Sequence, residues 1–137
     1  MADEKEHVFV YIEDDPGSRR IVNLIMTTVL KYKHLTILED SGNYLEKITV
    51  LEPVPTVFFL DIHVKPIDGY EILKQLKADE KFKAAKFIAM TASVMVDEIK
   101  QLQDAGFDGL ISKPIRKNKF AEHLEKLLAG EALWVVS

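Results

Sequence analysis

The sequence contains no cysteine, which excludes disulfide bonds and thiolate metal sites. It has no basic surplus, because 22 acidic residues against 18 basic ones give a net charge of −4, so direct nucleic-acid binding is not indicated. No apolar run approaches the roughly 20 residues that cross a bilayer, and the polar, acidic start at 1–6 is unlike a signal peptide. These absences favour a cytoplasmic protein that does not enter a membrane.

The length and composition are typical of one globular domain. The chain has 137 residues, of which 47% are hydrophobic and 29% charged, so it can bury a single core. We predict one domain over 1–137, with a core at about 7–129, a polar tail at 1–6 and an apolar tail at 130–137. The sequence leaves three roles open for the apolar tail: packing on its own domain, joining a dimer, or beginning a further segment.

Short β-rich runs alternate with helical patterns along the chain, which predicts an α/β fold with a parallel sheet and helices on both faces. Asp15 is predicted to cap the first helix and Ser41 the second, while Asp68 and Glu71 resemble a capping box for the third. Gly106 is suited to end the fourth helix. The predicted strands are approximately Val8–Ile12, Leu35–Leu38, Thr56–Leu60, Lys86–Met90 and Phe107–Ile111.

Polar residues follow four of these apolar runs. Glu13 and Asp14 follow the first, Asp61 the third, Thr91 the fourth and Lys113 the last. In open parallel sheets the ligands bind beyond the carboxyl ends of the strands, where these side chains would converge. Carboxylates so close together repel one another and require a cation, and hard oxygen ligands suit Mg²⁺. An Asp can then attack phosphorus and form an acyl phosphate, while a lysine and a hydroxyl neutralise the phosphoryl oxygens.

These residues carry a resemblance to a known family. The chain resembles a response-regulator receiver domain, similar to the single-domain chemotaxis and cell-cycle regulators of two-component systems. The resemblance runs from about Val8 to Leu128, with 30 positions from Asp61 to Thr91 and 22 from Thr91 to Lys113. The motifs that carry it are Glu13-Asp14-Asp15-Pro16 with Arg19-Arg20, Asp61 with Asp68-Gly69, Thr91-Ala92 and Lys113-Pro114.

The resemblance implies a flavodoxin-like, doubly wound sheet with strand order 2-1-3-4-5, a strand order that general accounts of this fold give for the chemotaxis regulator itself. It implies that Asp61 accepts a phosphoryl group from a histidine kinase or phosphotransfer protein, with Lys113 and Thr91 contacting that group. Glu13, Asp14, Asp61 and the backbone carbonyl of His63 would hold Mg²⁺. The peptide bond before Pro114 would be cis.

The resemblance also has consequences for the partners. Such a protein is not an enzyme beyond its own phosphorylation and dephosphorylation, and it passes the signal to a downstream protein partner. The surface around the fourth helix, fifth strand and fifth helix would be the partner face or a homodimer face. The chain is thus predicted to be a phosphoprotein of phosphorelay signal transduction.

Three positions depart from the family pattern. Lys65 stands where a proline is usual, with Pro66 one position late, and Leu110 stands where many receivers carry the Tyr or Phe of an aromatic switch. His63, beside the acceptor, is uncommon, and we predict that its imidazole alters dephosphorylation.

Two other function classes are weighed against the phosphoryl switch: a pseudo-receiver, and an enzyme of similar layering that is either flavodoxin-like or an aspartate-dependent phosphatase. A pseudo-receiver that only binds partners is disfavoured by the intact acidic, Thr and Lys set. A flavodoxin-like cofactor protein would need a phosphate-cradling loop after its first strand, where this chain has acidic residues that repel phosphate. An aspartate-dependent phosphatase would ordinarily have a second Asp where this chain has His63.

Overall fold

The computed structural model describes residues 7–134, and in them five β-strands alternate with five α-helices. The first element that the structure describes is a strand, and each strand is followed by one helix. The elements are β1 Val8–Ile12, α1 Pro16–Leu24, β2 His34–Leu38, α2 Tyr44–Thr49, β3 Val57–Asp61, α3 Gly69–Lys77, β4 Lys86–Thr91, α4 Val96–Ala105, β5 Gly109–Ser112 and α5 Lys117–Leu128. A π-helical segment, Ile25–Val29, continues α1.

All five strands are parallel and form one sheet with the order β2-β1-β3-β4-β5. One apolar cluster packs α2, α3 and α4 on one face of the sheet, and a second packs α1 and α5 on the other. Every residue of β1 and β3 is buried, as expected of central parallel strands covered on both faces. The predicted doubly wound α/β fold is confirmed.

Several predicted helix ends are confirmed by their local hydrogen bonds. The Asp15 carboxylate accepts from the Ser18 amide at 2.8 Å and caps α1, which has proline at its first position. The Asp68 carboxylate accepts from the Glu71 amide at 2.9 Å and caps α3. Gly106 ends α4 with a φ of 107°, a conformation that glycine adopts without strain.

The prediction that Ser41 caps α2 is wrong. The capping position is Asn43, whose side chain makes no capping bond. Ser41 is fully buried, and its hydroxyl both donates to the carbonyl of Ile67 and accepts from the amide of Ile67, each at 2.6 Å. Its amide also donates to the carbonyl of Lys65 at 3.0 Å. Ser41 therefore ties the start of α2 to the loop that follows β3.

The peptide bond between Lys113 and Pro114 is cis, as the resemblance implies. The bonds that precede Pro53 and Pro66 are cis as well. No helix in residues 7–134 is long and apolar enough to cross a membrane.

The part of the predicted apolar tail that the structure describes packs on its own domain. Leu133 is buried, forms a parallel bridge with Gly109, and accepts a hydrogen bond from the Leu110 amide at 3.1 Å through its carbonyl. Leu133 joins the cluster under α5, while Trp134 packs against the cluster under α4. The tail thus covers part of the free edge of β5. The predicted polar tail at 1–6 and residues 135–137 lie outside the described residues.

Candidate functional site: an acidic cluster and a lysine at the carboxyl ends of the strands

The predicted site residues lie at the carboxyl-terminal ends of the strands. Asp61 and Thr91 are the last residues of β3 and β4, and Glu13 and Lys113 follow β1 and β5 by one residue. The parallel register brings these ends together, because β1, β3, β4 and β5 are adjacent in that order. Asp61 lies opposite Met90, the residue before Thr91. The fold therefore juxtaposes side chains that are far apart in sequence.

Three carboxylates converge at these ends of the strands. One oxygen from each of Glu13, Asp14 and Asp61 lies within 4.8 Å of the others. Glu13 is fully buried and Asp61 is 4% exposed, whereas Asp14 is exposed to solvent. Such a cluster is open on one side and supplies hard oxygen ligands, and these are the features that Mg²⁺ prefers when it keeps several waters. The residues present fit Mg²⁺.

Lys113 provides the positive charge of the cluster. Its ammonium lies 2.7 Å from Oε1 of Glu13 and 3.6 Å from Oδ1 of Asp61, and its side chain is 18% exposed. The amide of Lys113 donates to the carbonyl of Thr91 at 2.9 Å, and this bond holds the backbone of Lys113 beside the end of β4. In this state the lysine pairs mainly with Glu13 and only secondarily with Asp61.

The two buried carboxylates differ in proton affinity. Burial and the hydrogen bond with Glu13 raise the pKa of Asp61 from 3.8 to about 7. Burial opposes ionisation of Glu13 too, but hydrogen bonds with Asp61, Lys113 and Tyr11 hold the pKa of Glu13 below its ordinary value. A proton therefore binds to Asp61 in preference to Glu13, and a bound cation would favour ionisation of both groups.

The loop after β3 holds the Asp61 carboxylate in place. The amide of His63 donates to Oδ1 of Asp61 at 3.1 Å, and the amide of Gly69 donates to the carbonyl of Ile62 at 3.1 Å. Through its bonds to Lys65 and Ile67, Ser41 fastens the far side of the same loop. Asp61 is thus held between a buried strand and a loop anchored at two points.

Thr91 is 4% exposed, and its hydroxyl accepts from the Ser93 amide at 3.1 Å. This bond shapes the loop between β4 and α4. A cavity of about 620 Å³ lies between that loop, the loop after β3 and α4, and Thr91 and His63 both line it. Asp61 itself does not line this cavity, but the two residues that follow it, Ile62 and His63, do.

Sequence reasoning missed one residue of the site and did not assign a contact to another. The buried hydroxyl of Tyr11 donates to Oε1 of Glu13 at 2.8 Å, and Nη1 of Arg19 donates to the carbonyl of Glu13 at 2.9 Å. The signal for Tyr11 was its place two residues before Glu13, because alternate residues of a strand share a face. The contact of Arg19 depends on how α1 packs, and no local pattern reveals it.

Comparisons with known proteins agree with this geometry. Response regulator Rre1 of Synechocystis sp. is 25% identical over an alignment of 129 residues, which covers 88% of this chain and 51% of that protein. The polar-differentiation response regulator DivK of Brucella ovis is 33% identical over 78 residues, which are 57% of this chain and 63% of that protein. The chain therefore spans from about half to less than two thirds of the length of these relatives.

Solved structures share the fold. The chemotaxis response regulator CheY4 of Vibrio cholerae superposes with a TM-score of 0.78 at 15% identity, covering 88% of this chain and 98% of that one. A signal receiver domain from Colwellia psychrerythraea gives a TM-score of 0.74 at 20% identity, covering 90% of this chain and 99% of that one. The sequence model of the response regulator receiver domain matches residues 9–125. This chain therefore belongs to the response regulator receiver domain family.

Proposed function

We propose that this protein is a phosphoryl-accepting signalling switch in which Asp61 is the acceptor. The observation that carries the proposal is the convergence of three carboxylates and one lysine at the carboxyl ends of the strands. Family membership supports it, since receiver domains of two-component systems interact with histidine kinases and downstream targets. The donor would be a histidine kinase or a histidine phosphotransfer protein.

In this proposal Glu13, Asp14, Asp61 and the backbone carbonyl of His63 hold Mg²⁺. The bound ion would supply charge neutralisation for the phosphoryl oxygens and for the acidic cluster. An Asp61 oxygen forms a bond to phosphorus while the P–N bond of the donor phosphohistidine breaks, and the leaving imidazole takes up a proton. Asp61 is suited to this because the His63 amide already fixes its orientation.

Lys113 and Thr91 would stabilise the phosphoryl group on Asp61. The ammonium of Lys113 is 3.6 Å from Oδ1 of Asp61, so a short movement away from Glu13 brings it to a phosphoryl oxygen. The Thr91 hydroxyl accepts one hydrogen bond from Ser93 and keeps its own proton for donation. A contact from Thr91 to the phosphoryl group would draw the loop before α4 toward the site and change the surface that partners recognise.

The downstream partner is proposed to be a protein that binds around α4, β5 and α5, a face through which a homodimer could also form. Leu133 already covers part of the β5 edge there, so a partner would meet the helices and the tail rather than a bare strand. We propose that residues 1–137 act as a single cytoplasmic receiver domain that does not bind nucleic acid directly.

The proposal is tested with acetyl phosphate as a small-molecule donor. We expect intact-protein mass spectrometry to detect one phosphoryl group when Mg²⁺ is present, located on the peptide that contains Asp61. In EDTA the adduct should be absent. An unmodified protein after incubation with acetyl phosphate, Mg²⁺ and a range of histidine phosphotransfer donors would instead favour a pseudo-receiver that binds partners without phosphorylation.

The exposed imidazole of His63 is expected to speed loss of the phosphoryl group. It lines the cavity beside the acceptor, where it can accept a proton from an attacking water. Replacing His63 by alanine should therefore lengthen the phosphoryl half-life roughly 10-fold, less than the 10²–10⁴ of a well-held general base. The half-life is measured by mass spectrometry after the donor is removed.

His7→Ala is the matched control for that experiment. His7 immediately precedes β1, at the amino-terminal ends of the strands, whereas Asp61 lies at their carboxyl-terminal ends. Its removal should leave the half-life unchanged. Equal half-lives for His63→Ala, His7→Ala and the wild type would show that the His63 imidazole takes no part in hydrolysis.

A further inference from the structure

Tyr11 is a buried residue that the proposed chemistry does not use. It is fully buried in β1, and its side chain lies on the same face of the strand as that of Glu13. Its hydroxyl donates to Oε1 of Glu13 at 2.8 Å. A carboxylate oxygen can only accept, so the tyrosine hydroxyl is the donor in this bond.

The carboxylate of Glu13 is held at both oxygens. Oε1 accepts from the Tyr11 hydroxyl and lies 2.7 Å from the ammonium of Lys113, while Oε2 accepts from the Asp15 amide at 3.2 Å. The backbone of Glu13 is held as well, by the carbonyl of Leu38 at 3.0 Å. Of the two side-chain donors on Oε1, Lys113 is the one that the phosphoryl group would attract.

We propose that Tyr11 is a positioning residue that holds the Glu13 carboxylate toward the metal site while Lys113 moves to the phosphoryl group. This rests on the proposed function of Asp61. A fully buried carboxylate oxygen that loses its donor bears a desolvation cost, so without Tyr11 the Glu13 oxygen would retain Lys113. The neutral hydroxyl keeps Oε1 satisfied and adds no charge that would repel a cation.

The alternative is that Tyr11 only fills the core. Its ring packs edge-to-face against Phe59 with centroids 6.0 Å apart, and phenylalanine would preserve that contact. A purely structural hydroxyl would change the stability of the protein and leave metal affinity unaltered. Metal affinity therefore separates the two roles.

The test compares Tyr11→Phe with Tyr44→Phe. Tyr44 is 2% exposed and belongs to the other core cluster, and its hydroxyl bonds to Gln75, so this control removes the hydroxyl of a second buried tyrosine away from the site. We expect Tyr11→Phe to weaken Mg²⁺ binding by about 10-fold in calorimetric titration, the usual effect of losing a group that orients a metal ligand. Its phosphorylation by acetyl phosphate at saturating Mg²⁺ should also slow, while Tyr44→Phe should match the wild type in both measurements.

Glu13→Ala supplies the second measurement. If Tyr11 acts through Glu13, adding Tyr11→Phe to Glu13→Ala leaves the Mg²⁺ dissociation constant unchanged. A further loss in that background, or equal Mg²⁺ affinity in Tyr11→Phe and the wild type, would overturn the positioning role. A wild-type protein that binds no Mg²⁺ would instead overturn the proposed metal site, and the role of Tyr11 with it.

Discussion

Asn in place of Asp61 is expected to abolish the phosphoryl adduct and at the same time to stabilise the metal-free protein. The first effect follows because the amide oxygen of asparagine is not the carboxylate nucleophile that an acyl phosphate requires. The local geometry should survive, since Asn can still accept the hydrogen bond from the His63 amide that Asp61 accepts at 3.1 Å. Loss of the adduct would therefore report on chemistry and not on a displaced loop.

The second effect comes from the raised pKa of Asp61. Its ordinary value of 3.8 applies in the unfolded chain, whereas burial and Glu13 raise the pKa to about 7 in the folded protein. Folding is therefore penalised as pH rises from about 4 through 7, and at pH 8 the full penalty applies. At 1.36 kcal/mol per pH unit the Asn variant should gain on the order of 1–4 kcal/mol in free energy of unfolding at pH 8.

Urea denaturation in EDTA at pH 8 and at pH 4.5 measures this effect. The gain of Asp61→Asn should shrink at pH 4.5, where Asp61 is protonated in the folded protein. Mg²⁺ binds only the folded site, so it should stabilise the folded protein. The gain should be larger in the wild type, because Asn lacks the charged oxygen ligand of Asp61. Asp104→Asn is the matched control; it removes an exposed carboxylate 3.5 Å from Lys100, a pair worth about 0–1 kcal/mol.

Two outcomes would contradict this account. A phosphoryl adduct of unchanged yield in Asp61→Asn would place the acceptor elsewhere. A variant no more stable than the wild type at pH 8 without metal would mean that the acidic cluster carries no electrostatic strain. The two measurements are independent, so the acceptor role and the strain of the cluster can fail separately.

Much of the fold was predictable because buried parallel strands are continuous apolar runs. β1 was predicted at its observed bounds, and β3 is shifted by one residue, since Asp61 itself completes the strand. The prediction for β5 began two residues early at Phe107, which is buried for another reason: its ring packs edge-to-face on Tyr70 with centroids 6.0 Å apart. The strand order came from the family resemblance, because hydrophobic patterns do not encode it.

The parts that could not be predicted depend on contacts between distant segments. Ser41 has the local signature of a helix cap, but burial against the loop after β3 gives its hydroxyl a different partner, Ile67. The pairing of Lys113 with Glu13 in preference to Asp61 is likewise a matter of distances that spacing does not supply. Prediction from local sequence failed at these two residues, because contacts between distant segments decide which partners their side chains bind.

Alanine in place of Gly69 is expected to destabilise the protein and to impair the acceptor, although it is the better helix former. A Cβ at Gly69 would lie 2.8 Å from the carbonyl oxygen of Asp61 and 2.9 Å from Cα of Ile62. Both contacts are with backbone, so the strand end or α3 must shift to relieve them. Overpacking of this kind costs about 1–3 kcal/mol, which exceeds the helix propensity that alanine gains over glycine, at most about 1 kcal/mol.

Gly17→Ala is the matched control, because Gly17 also lies in the first turn of a helix that follows a strand of the site. Its added Cβ would meet only the Asp15 carboxylate at 3.5 Å, an ordinary contact, so we expect a stability change between zero and a gain of about 1 kcal/mol. Urea denaturation reports the stability of both variants. Phosphorylation by acetyl phosphate should slow in Gly69→Ala alone, because displacing the Asp61 backbone misaligns the nucleophile. Equal stability and equal rates in the two variants would show that the end of β3 tolerates movement, and that the acceptor does not depend on the close approach of α3.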